Sequence, residues 1–257
     1  MTQMTQFAPD RPAVTFVGAG PGAAEHLSLG AYRALQEAEV VIHDRLVGDE
    51  VMALIPAHVL RVDVGKEGFG PAVTQPTINA TLVAHAMTGR RIVRLKGGDC
   101  GIFGRLDEEM EALEAAGLRF AIQPGLTSAA VAAATIGQSL TRRGRNASLR
   151  ILTGHDMAGF AEQDWRGMAR PGEVAAIYMG KKSSRFIQGR LMMHGANPAT
   201  DIAIVENVSR ANQRIIGTTL AQLADAIAVC DGPAVILFGL APRQAEIALP
   251  QIQEARA

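Results

Sequence analysis

The sequence predicts an α/β protein made of two α/β domains with a ligand cleft between them. Short apolar strand patterns alternate with helix patterns along the first half, and this βα alternation implies a largely parallel sheet. Polar and basic residues interrupt the pattern after Gly137, and strands then resume with a smaller share of helix. A chain of 257 residues is long enough for two medium domains with apolar cores of their own.

The first half contains five predicted strands and four predicted helices. The strands cover residues 13–18, 39–44, 58–65, 90–98 and 118–125, and the helices cover 28–38, 75–89, 105–117 and 126–137. Ser28 is a candidate N-cap, because its hydroxyl can accept a bond from a free backbone N–H of the first turn. Pro76 at the start of the second helix and Gly89 at its end follow the usual asymmetry of helix termini.

The second half is predicted to be a mixed α/β domain. Its strands cover residues 149–155, 173–180, 200–207, 213–218 and 233–239, with helices near 184–194 and 220–230. We therefore divide the chain into a flexible tail (1–12), an N-terminal domain with glycine-rich cofactor loops (13–137), a connection (138–148), a C-terminal domain (149–245) and a second tail (246–257).

Composition excludes several classes of function. Basic and acidic residues both number 25, and this zero balance argues against general binding of nucleic acid. The two cysteines, Cys100 and Cys230, are far apart, which excludes a disulfide framework and fits a reducing cytosol. The six histidines lack metal-ligand spacing, so no metal is expected. No stretch has the pattern of a signal peptide or membrane span, and we expect a cytoplasmic protein.

Glycine-rich segments follow three of the predicted strands. They are "GAGPG" at 18–22, "KGGD" at 96–99 and "PGLTS" at 124–128. Each could be a tight turn that needs a positive φ angle. Ligands of open α/β sheets bind outside the carboxyl ends of the strands, however, and three such segments at equivalent positions favour one pocket lined by backbone.

A nicotinamide-dependent oxidoreductase is the first alternative to weigh. "GAGPGA" at 18–23 formally matches the dinucleotide fingerprint, and Asp44 could bind a ribose. The fingerprint needs a helix that begins within the glycines, so that its free N–H groups meet the pyrophosphate. Here Pro21 lacks an N–H and the helical pattern begins only near Ser28, so we disfavour this alternative.

The motifs, taken in order, resemble a known family. They are "VGAGPG", "DRLV", "VGK", "VRLKGGDxxIFGR", "PGxTSA", "LTxR", "YMG" and "VEN". This set resembles the uroporphyrinogen-III C-methyltransferase family, within the class III tetrapyrrole methylases. The resemblance implies transfer of two methyl groups from S-adenosylmethionine to C2 and C7 of uroporphyrinogen III, giving precorrin-2. It also implies a homodimer, with the cofactor between the two domains.

The resemblance assigns roles to particular residues. Positions that match the family's cofactor contacts are Pro21, Gly97, Gly98, Asp99, Ile102, Thr127, Ser128, Met179 and Val208. Asp44 and Lys66 match the family's proposed proton acceptor and donor, and Arg105, Glu108 and Arg143 match residues implicated in substrate binding and catalysis. The chain departs from the family's usual residues at Ala23, Cys100, Gly101, Leu106, Asp107 and Val208.

The chemistry of the expected substrate agrees with this assignment. An electron-rich pyrrole attacks a sulfonium methyl group without a metal, so the enzyme mainly positions the two reactants. Uroporphyrinogen carries eight carboxylates, for which guanidinium groups are suited partners. The candidates are Arg45, Arg105, Arg142, Arg143 and Arg145, followed by Lys66, Lys181, Lys182 and Arg185. Methylation leaves a cationic ring that must lose a proton, and either Asp44 or Glu108 could be the base.

Other readings of the same motifs stay open. A sister methylase acting on a later corrin precursor would share the cofactor loops and differ in its arginines. A non-catalytic tetrapyrrole-binding protein would need a broken cofactor pocket, whereas Asp99 and the paired glycines are intact. We expect a stand-alone methylase, and the sequence does not decide whether its product leads to cobalamin, sirohaem or haem d1.

Overall fold

The computed structural model describes residues 12–65, 73–156 and 159–243. These residues form two compact units, one ending at Leu126 and the other beginning at Thr127. Each unit contains one five-stranded sheet, and the predicted α/β class is confirmed. Within the described ranges, no helix is both long and apolar enough to cross a membrane.

The first unit is a parallel α/β sheet. Its strands are β1 (Val14–Gly18), β2 (Val40–His43), β3 (Leu60–Asp63), β4 (Ile92–Lys96) and β5 (Phe120–Gln123), and its helices are α1 (Leu29–Glu37), α2 (Asp49–Ala53), α3 (Gln75–Ala86) and α4 (Leu106–Ala115). The strand order is β3-β2-β4-β1-β5, and every neighbouring pair is parallel, as the βα alternation predicted.

Apolar residues cover both faces of this sheet, because successive side chains of a strand point to opposite faces. Val17 and Val41 pack with Leu35 on the side of α1 and α2. Their neighbours Phe16 and Ile42 pack with the helices α3 and α4 on the other side. Such burial on both faces is typical of parallel sheets, whose strands are nearly continuous apolar runs.

The ends of the helices follow their local sequence. The Ser28 hydroxyl accepts a hydrogen bond from the Ala31 N–H at 3.1 Å, so α1 begins where its N-cap predicted. Pro76 lies in the first turn of α3, where its missing N–H costs no helical bond. Gly89, beyond the other end of α3, has a φ of 73°, a conformation that glycine adopts without steric cost.

The second unit combines parallel and antiparallel pairing. Its helices are α5 (Ser128–Thr135), α6 (Trp165–Met168), α7 (Ser184–Met193) and α8 (Leu223–Ala228), and its strands are β6 (Arg150–Thr153), β7 (His155–Asp156), β8 (Gly159–Phe160), β9 (Ala175–Tyr178), β10 (Asp201–Glu206), β11 (Arg214–Thr219) and β12 (Ala234–Phe238). The main sheet has the order β11-β10-β12-β9-β6, in which only β6 and β9 are parallel. The mixed architecture predicted for this half is therefore present.

The division of the chain differs from the predicted boundary at Gly137. Helix α5 belongs to the second unit, because its buried residues Ala129, Ala132 and Ala133 pack against the second sheet. Small side chains allow a helix to lie close to a sheet, and the sequence alone does not say which sheet. The segment 138–148 also belongs to the second unit, and the predicted tails lie almost wholly outside the described residues.

The packing of α5 makes a prediction about stability. Replacing the fully buried Ala132 by leucine should lower the free energy of unfolding by ~1–3 kcal/mol, because the extra methylenes overpack the contact with the sheet. Ala130→Leu, on the exposed face of the same helix, is the matched control and should change stability little. Urea denaturation followed by circular dichroism measures both, and equal effects would contradict the placement of α5.

Candidate active site

The three glycine-rich segments meet at one edge of the first sheet. Gly98 donates its N–H to the Gly20 carbonyl at 2.8 Å, and Gly20 donates to the Gly98 carbonyl at 3.1 Å. A Cβ atom on Gly125 would overlap the Gly98 carbonyl oxygen, and one on Gly18 would overlap the backbone of Gly125. The ends of β1, β4 and β5 thus touch backbone to backbone, and this contact requires glycine.

Asp99 holds this edge together. Its Oδ1 accepts a hydrogen bond from the Gly101 N–H, and its Oδ2 accepts one from the Gly125 N–H, both at 2.9 Å. The carboxylate therefore ties the loop after β4 to the segment after β5. Pro21, Gly97 and Gly98 lie in the same segments and Ile102 follows shortly after, so the sheet brings five predicted cofactor residues of the first unit, Asp99 included, to one region. Their contact with a cofactor stays a prediction.

Strained backbone coincides with the sequence motifs. Among the described residues, five that are not glycine have a positive φ angle, between 51° and 57°: Phe103, Arg105, Met179, Asn207 and Ser209. All of them fall in or beside the motifs "FGR", "YMG" and "VEN". Left-handed backbone costs of order 1 kcal/mol for a residue with a side chain, and it tends to persist at functional sites.

A buried charged network lies under this edge, between β4 and α4. The carboxylate of Glu109 accepts hydrogen bonds from Arg94 Nε and Nη2, both at 3.0 Å, and from Lys96 Nζ at 2.7 Å. All three side chains are buried. Burial alone would lower the pKa of Arg94, but the negative charges of Asp44 and Glu109 outweigh it and raise that pKa above its ordinary value.

Sequence analysis missed this network, although two signals pointed to it. Arg94 and Lys96 alternate with Val93 and Leu95 in a central strand, so both cations must face the same packed side. Helix α3 adds further polar groups, since Gln75 Nε2 donates to Asn79 Oδ1 at 2.9 Å and lies 3.4 Å from Glu109 Oε1. The second signal was therefore that β4 and α3 both place polar residues on faces that pack against the rest of the unit.

Asp44 is bound to the same network. Its Oδ1 accepts a hydrogen bond from Arg94 Nη2 at 2.7 Å, and its side chain is 30% exposed. The side chain of Asp44 thus pairs with Arg94 of the neighbouring strand β4. The role of Asp44 as a proton acceptor stays a prediction, and Lys66 lies outside the described residues.

Arg105 and Glu108 form an exposed ion pair at the start of α4. Arg105 Nε and Nη2 donate to the two carboxylate oxygens of Glu108, each at 2.7 Å. The hydrogen bond from Arg105 lowers the pKa of Glu108, and the same bond raises the pKa of Arg105. Both carboxylate oxygens of Glu108 are therefore occupied by Arg105, whereas only Oδ1 of Asp44 accepts a hydrogen bond from the described residues.

A basic loop in the second unit contains three of the candidate arginines. Residues 141–147 surround an open concavity of about 690 Å³. Asn146 holds the loop, since its Oδ1 accepts from the Arg142 N–H and from Arg145 Nε, and Arg145 Nη2 donates to the Ser139 carbonyl. The guanidinium groups of Arg142 and Arg143 are exposed and have no partner within the described ranges. Of the three arginines in this loop, these two remain available to an anion.

The other basic candidates differ in their partners. Arg45 lies 3.7 Å from the Asp63 carboxylate and Arg185 lies 4.0 Å from that of Asp225. Lys181 and Lys182 directly precede α7 and make no ion pair with any residue that the structure describes.

The remaining cofactor candidates lie in the second unit. The Thr127 hydroxyl contacts the Tyr178 hydroxyl, which also accepts a hydrogen bond from the Ala129 N–H at 2.8 Å. Tyr178 thereby brings the start of α5, with Ser128, next to the exposed Met179. Val208 packs in the core of this unit, so its side chain is not exposed.

The two cysteines, Cys100 and Cys230, are buried and free. Burial raises the pKa of the Cys100 thiol to about 12, and it also raises the pKa of Cys230. Both thiols therefore stay protonated near neutral pH. In the part of the chain that is described, no three His, Cys, Asp or Glu side chains lie close enough together to hold a metal ion.

Residues 13–224 match the tetrapyrrole (corrin/porphyrin) methylases, and the chain belongs to that family. The resemblance found in the motifs is thus confirmed at the level of the family.

Two siroheme synthases are similar in sequence. That of Edwardsiella ictaluri is 45% identical over 230 residues, which are 90% of this chain and 50% of the relative. That of Escherichia coli O139:H28 is 42% identical over 229 residues, which are 89% of this chain and 50% of that relative. The chain spans about half the length of these relatives.

Solved structures extend the comparison to the fold. The uroporphyrin-III C-methyl transferase of Thermus thermophilus, complexed with S-adenyl homocysteine, has a TM-score of 0.75 and 34% identity, covering 88% of this chain and 96% of that one. A cobalt precorrin-4 methyltransferase has a TM-score of 0.78 with 22% identity, covering 88% and 94%. The second similarity concerns the fold alone.

The buried network makes a second prediction about stability. Glu109→Gln should lower the free energy of unfolding by ~3 kcal/mol or more, because it leaves two buried cations with one counter-charge fewer. Glu111→Gln, an exposed change on the same helix, is the control and should leave the urea midpoint unchanged. Similar midpoints for the two variants would mean that the network contributes nothing to stability.

Proposed function

We propose that this chain is an S-adenosylmethionine-dependent C-methyltransferase that converts uroporphyrinogen III to precorrin-2 by methylation at C2 and C7. The observation that carries the proposal is the match, at 34% identity, over 96% of the Thermus uroporphyrin-III C-methyl transferase. The family match over residues 13–224 supports methyl transfer to a tetrapyrrole. The exposed arginines support an acidic substrate.

The glycine-rich segments that follow β1, β4 and β5 fit a cofactor that must lie close to backbone. Side chains are absent at Gly97, Gly98 and Gly101, so carbonyl groups in these turns could face a cationic sulfonium. When bound, S-adenosylmethionine supplies the methyl group in electrophilic form. We assign its binding to Pro21, Gly97, Gly98, Asp99 and Ile102 of the first unit and to Thr127, Ser128, Met179 and Val208 of the second.

The substrate carboxylates need cations that are not already neutralised. Arg142 and Arg143 meet this condition, because the structure gives their guanidinium groups no partner among the described residues. Arg145 holds the loop, and Arg105 is paired with Glu108, although its exposed side chain could be shared with a substrate carboxylate. We therefore assign the main contact with a substrate carboxylate to Arg143, with Arg142 beside it.

Removal of a proton completes the reaction. The methylated ring is cationic, and it becomes neutral when a proton leaves a neighbouring carbon and the electron pair of that C–H bond returns to the ring. We propose Asp44 as the acceptor, because its Oδ2 receives no hydrogen bond from the described residues, whereas Arg105 binds both carboxylate oxygens of Glu108. For Lys66 we keep the proposed role of proton donor or carboxylate partner.

The alternatives are less well supported. Only a three-residue 3-10 helix (Ala24–His26) follows the first glycine-rich turn, and α1 begins later, at Leu29. The turn therefore lacks the α-helix N-terminus that a dinucleotide pyrophosphate needs. A methylase of later corrin precursors is supported only by the common fold. The siroheme synthases among the relatives favour a product that leads towards sirohaem. We also propose that the protein is a homodimer, as the resemblance implies. We propose a cytoplasmic location as well, with which the two free cysteines agree.

Product analysis tests the proposed function. The protein is incubated anaerobically with labelled S-adenosylmethionine and uroporphyrinogen III, and the product is identified by mass. We expect two labelled methyl groups per macrocycle. A protein that binds S-adenosylmethionine but methylates only a later corrin precursor would replace this proposal with the sister activity.

A single substitution separates substrate binding from cofactor binding. Arg143→Ala should lower kcat/KM for uroporphyrinogen III by roughly tenfold or more, since a charge-assisted bond to a carboxylate is lost, while S-adenosylmethionine affinity stays nearly unchanged. Arg166→Ala removes an exposed arginine of α6 in the same unit and is the matched control. A parallel loss of cofactor affinity, measured by calorimetry, would place Arg143 at the cofactor instead.

A further inference from the structure

Every N–H donor of the Arg94 guanidinium group has an acceptor in the surrounding structure. Its Nε and Nη2 bind Glu109, its Nη1 donates to the carbonyls of Ile42 and Leu95, and its Nη2 also donates to Asp44. Guanidinium has five N–H donors in a rigid fork, and all of them have acceptors here. Arg94 can therefore occupy only one orientation without losing buried hydrogen bonds.

The carboxylate of Glu109 fixes that orientation of the guanidinium group. Both of its carboxylate oxygens accept from Arg94, and Lys96 Nζ binds Oε1 as well. The side chains of Arg94 and Glu109 are each only 1% exposed, so water does not compete for these bonds. Rotating the guanidinium would leave charges unpaired in the core, which is strongly unfavourable.

The two oxygens of Asp44 have different surroundings. Oδ1 accepts the bond from Arg94 at 2.7 Å, whereas Oδ2 receives no hydrogen bond from any residue in the described ranges. The side chain sits at the end of β2 and is partly exposed. One oxygen is thus held from inside the protein, while the other has an open lone pair.

We infer that Arg94 is a positioning residue for proton removal: it holds Oδ1 of Asp44 so that Oδ2 accepts the proton from the methylated macrocycle. This inference rests on the proposed function. In the step, a C–H bond beside the methylated ring breaks, the proton bonds to Oδ2, and the electron pair neutralises the cationic ring. Arg94 itself touches neither the substrate nor the cofactor.

Lysine cannot replace Arg94 in this role. An ammonium group has three donors and no planar fork, so it cannot bind Glu109 through two bonds and also reach Asp44. Lys96 provides the matched comparison in the same network. It is also buried and binds Glu109, but it makes no hydrogen bond or ion pair with Asp44.

A double-mutant cycle tests the inference. Single-turnover methylation is measured for the parent, Asp44→Asn, Arg94→Lys and the double variant, after circular dichroism has shown that each is folded. We expect Asp44→Asn to slow turnover by ~10²-fold, the usual scale for a general base, and Arg94→Lys to slow it ~10-fold or more. In the Asp44→Asn background, Arg94→Lys should have no further effect, because the residue it positions is gone.

Lys96→Met separates positioning from general weakening of the core. It should lower the urea midpoint as Arg94→Lys does, but leave the single-turnover rate within a few-fold of the parent. Rate losses that multiply in the double variant, or an equal rate loss in Lys96→Met, would overturn the inference. S-adenosylmethionine affinity, measured by calorimetry, should stay unchanged in all of these variants.

Asp44→Glu provides the test if Arg94→Lys does not fold. It keeps the carboxylate and its charge, but one more methylene shifts the carboxylate relative to the fixed guanidinium. Its turnover should fall nearly as far as that of Asp44→Asn, and parental turnover would overturn the inference. Failure of the proposed function is recognised separately, because the parent protein would then form no dimethylated product from uroporphyrinogen III.

Discussion

The carboxylate of Glu109 is the group on which the first unit's predicted catalytic residues depend. It joins Arg94 and Lys96 of the central strand β4 to the helix α4, away from water. Burying such charges is costly unless each is paired, so the strand and the helix have one low-energy arrangement relative to each other. Arg105 is the N-cap residue of the same helix, Glu108 directly precedes Glu109, and Asp44 is bound to Arg94. Their positions follow from the buried pairing.

The sheet edge at which the three glycine-rich segments meet is constrained by close backbone contact instead of by charge. At Gly18, Gly98 and Gly125, backbone atoms approach so closely that no side chain would fit. The carboxylate of Asp99 then holds the loop with two short hydrogen bonds. Preorganised turns of this kind cost little further entropy when a ligand arrives, since their backbone is already ordered. Two of these residues, Gly98 and Asp99, are also among those that the family resemblance assigns to cofactor binding.

Much of the fold could be predicted from local patterns. The apolar runs located all ten strands of the two main sheets, and Ser28 located the start of α1. The helices α2 and α6 and the short β7–β8 pair were missed, because four or five residues are too few to show a helical period and two too few for alternation. Helix α5 was assigned to the wrong side of the boundary, since its small residues can pack on either sheet.

The candidate site could be predicted less completely. Motifs identified the segments, but not the partners of their side chains. The pairing of Arg105 with Glu108 is visible in the sequence, because residues three apart on a helix are neighbours. The pairing of Arg94 with Glu109 and Asp44 is not, because it joins residues 15 and 50 positions apart through tertiary structure. The different roles of Arg143 and Arg145 likewise depend on where Asn146 lies.

The order of strands in the first sheet has a consequence for synthesis of the chain. β1 pairs only with β4 and β5, so Val14 has no strand partner until Ile92 has left the ribosome. At roughly 5–20 residues per second, this strand waits several seconds as an unpaired apolar segment. In the second unit, by contrast, β10 and β11 are joined by a short connection and can pair as soon as both exist. An apolar strand of the nascent first unit is therefore exposed to non-native pairing for longer than this hairpin of the second unit.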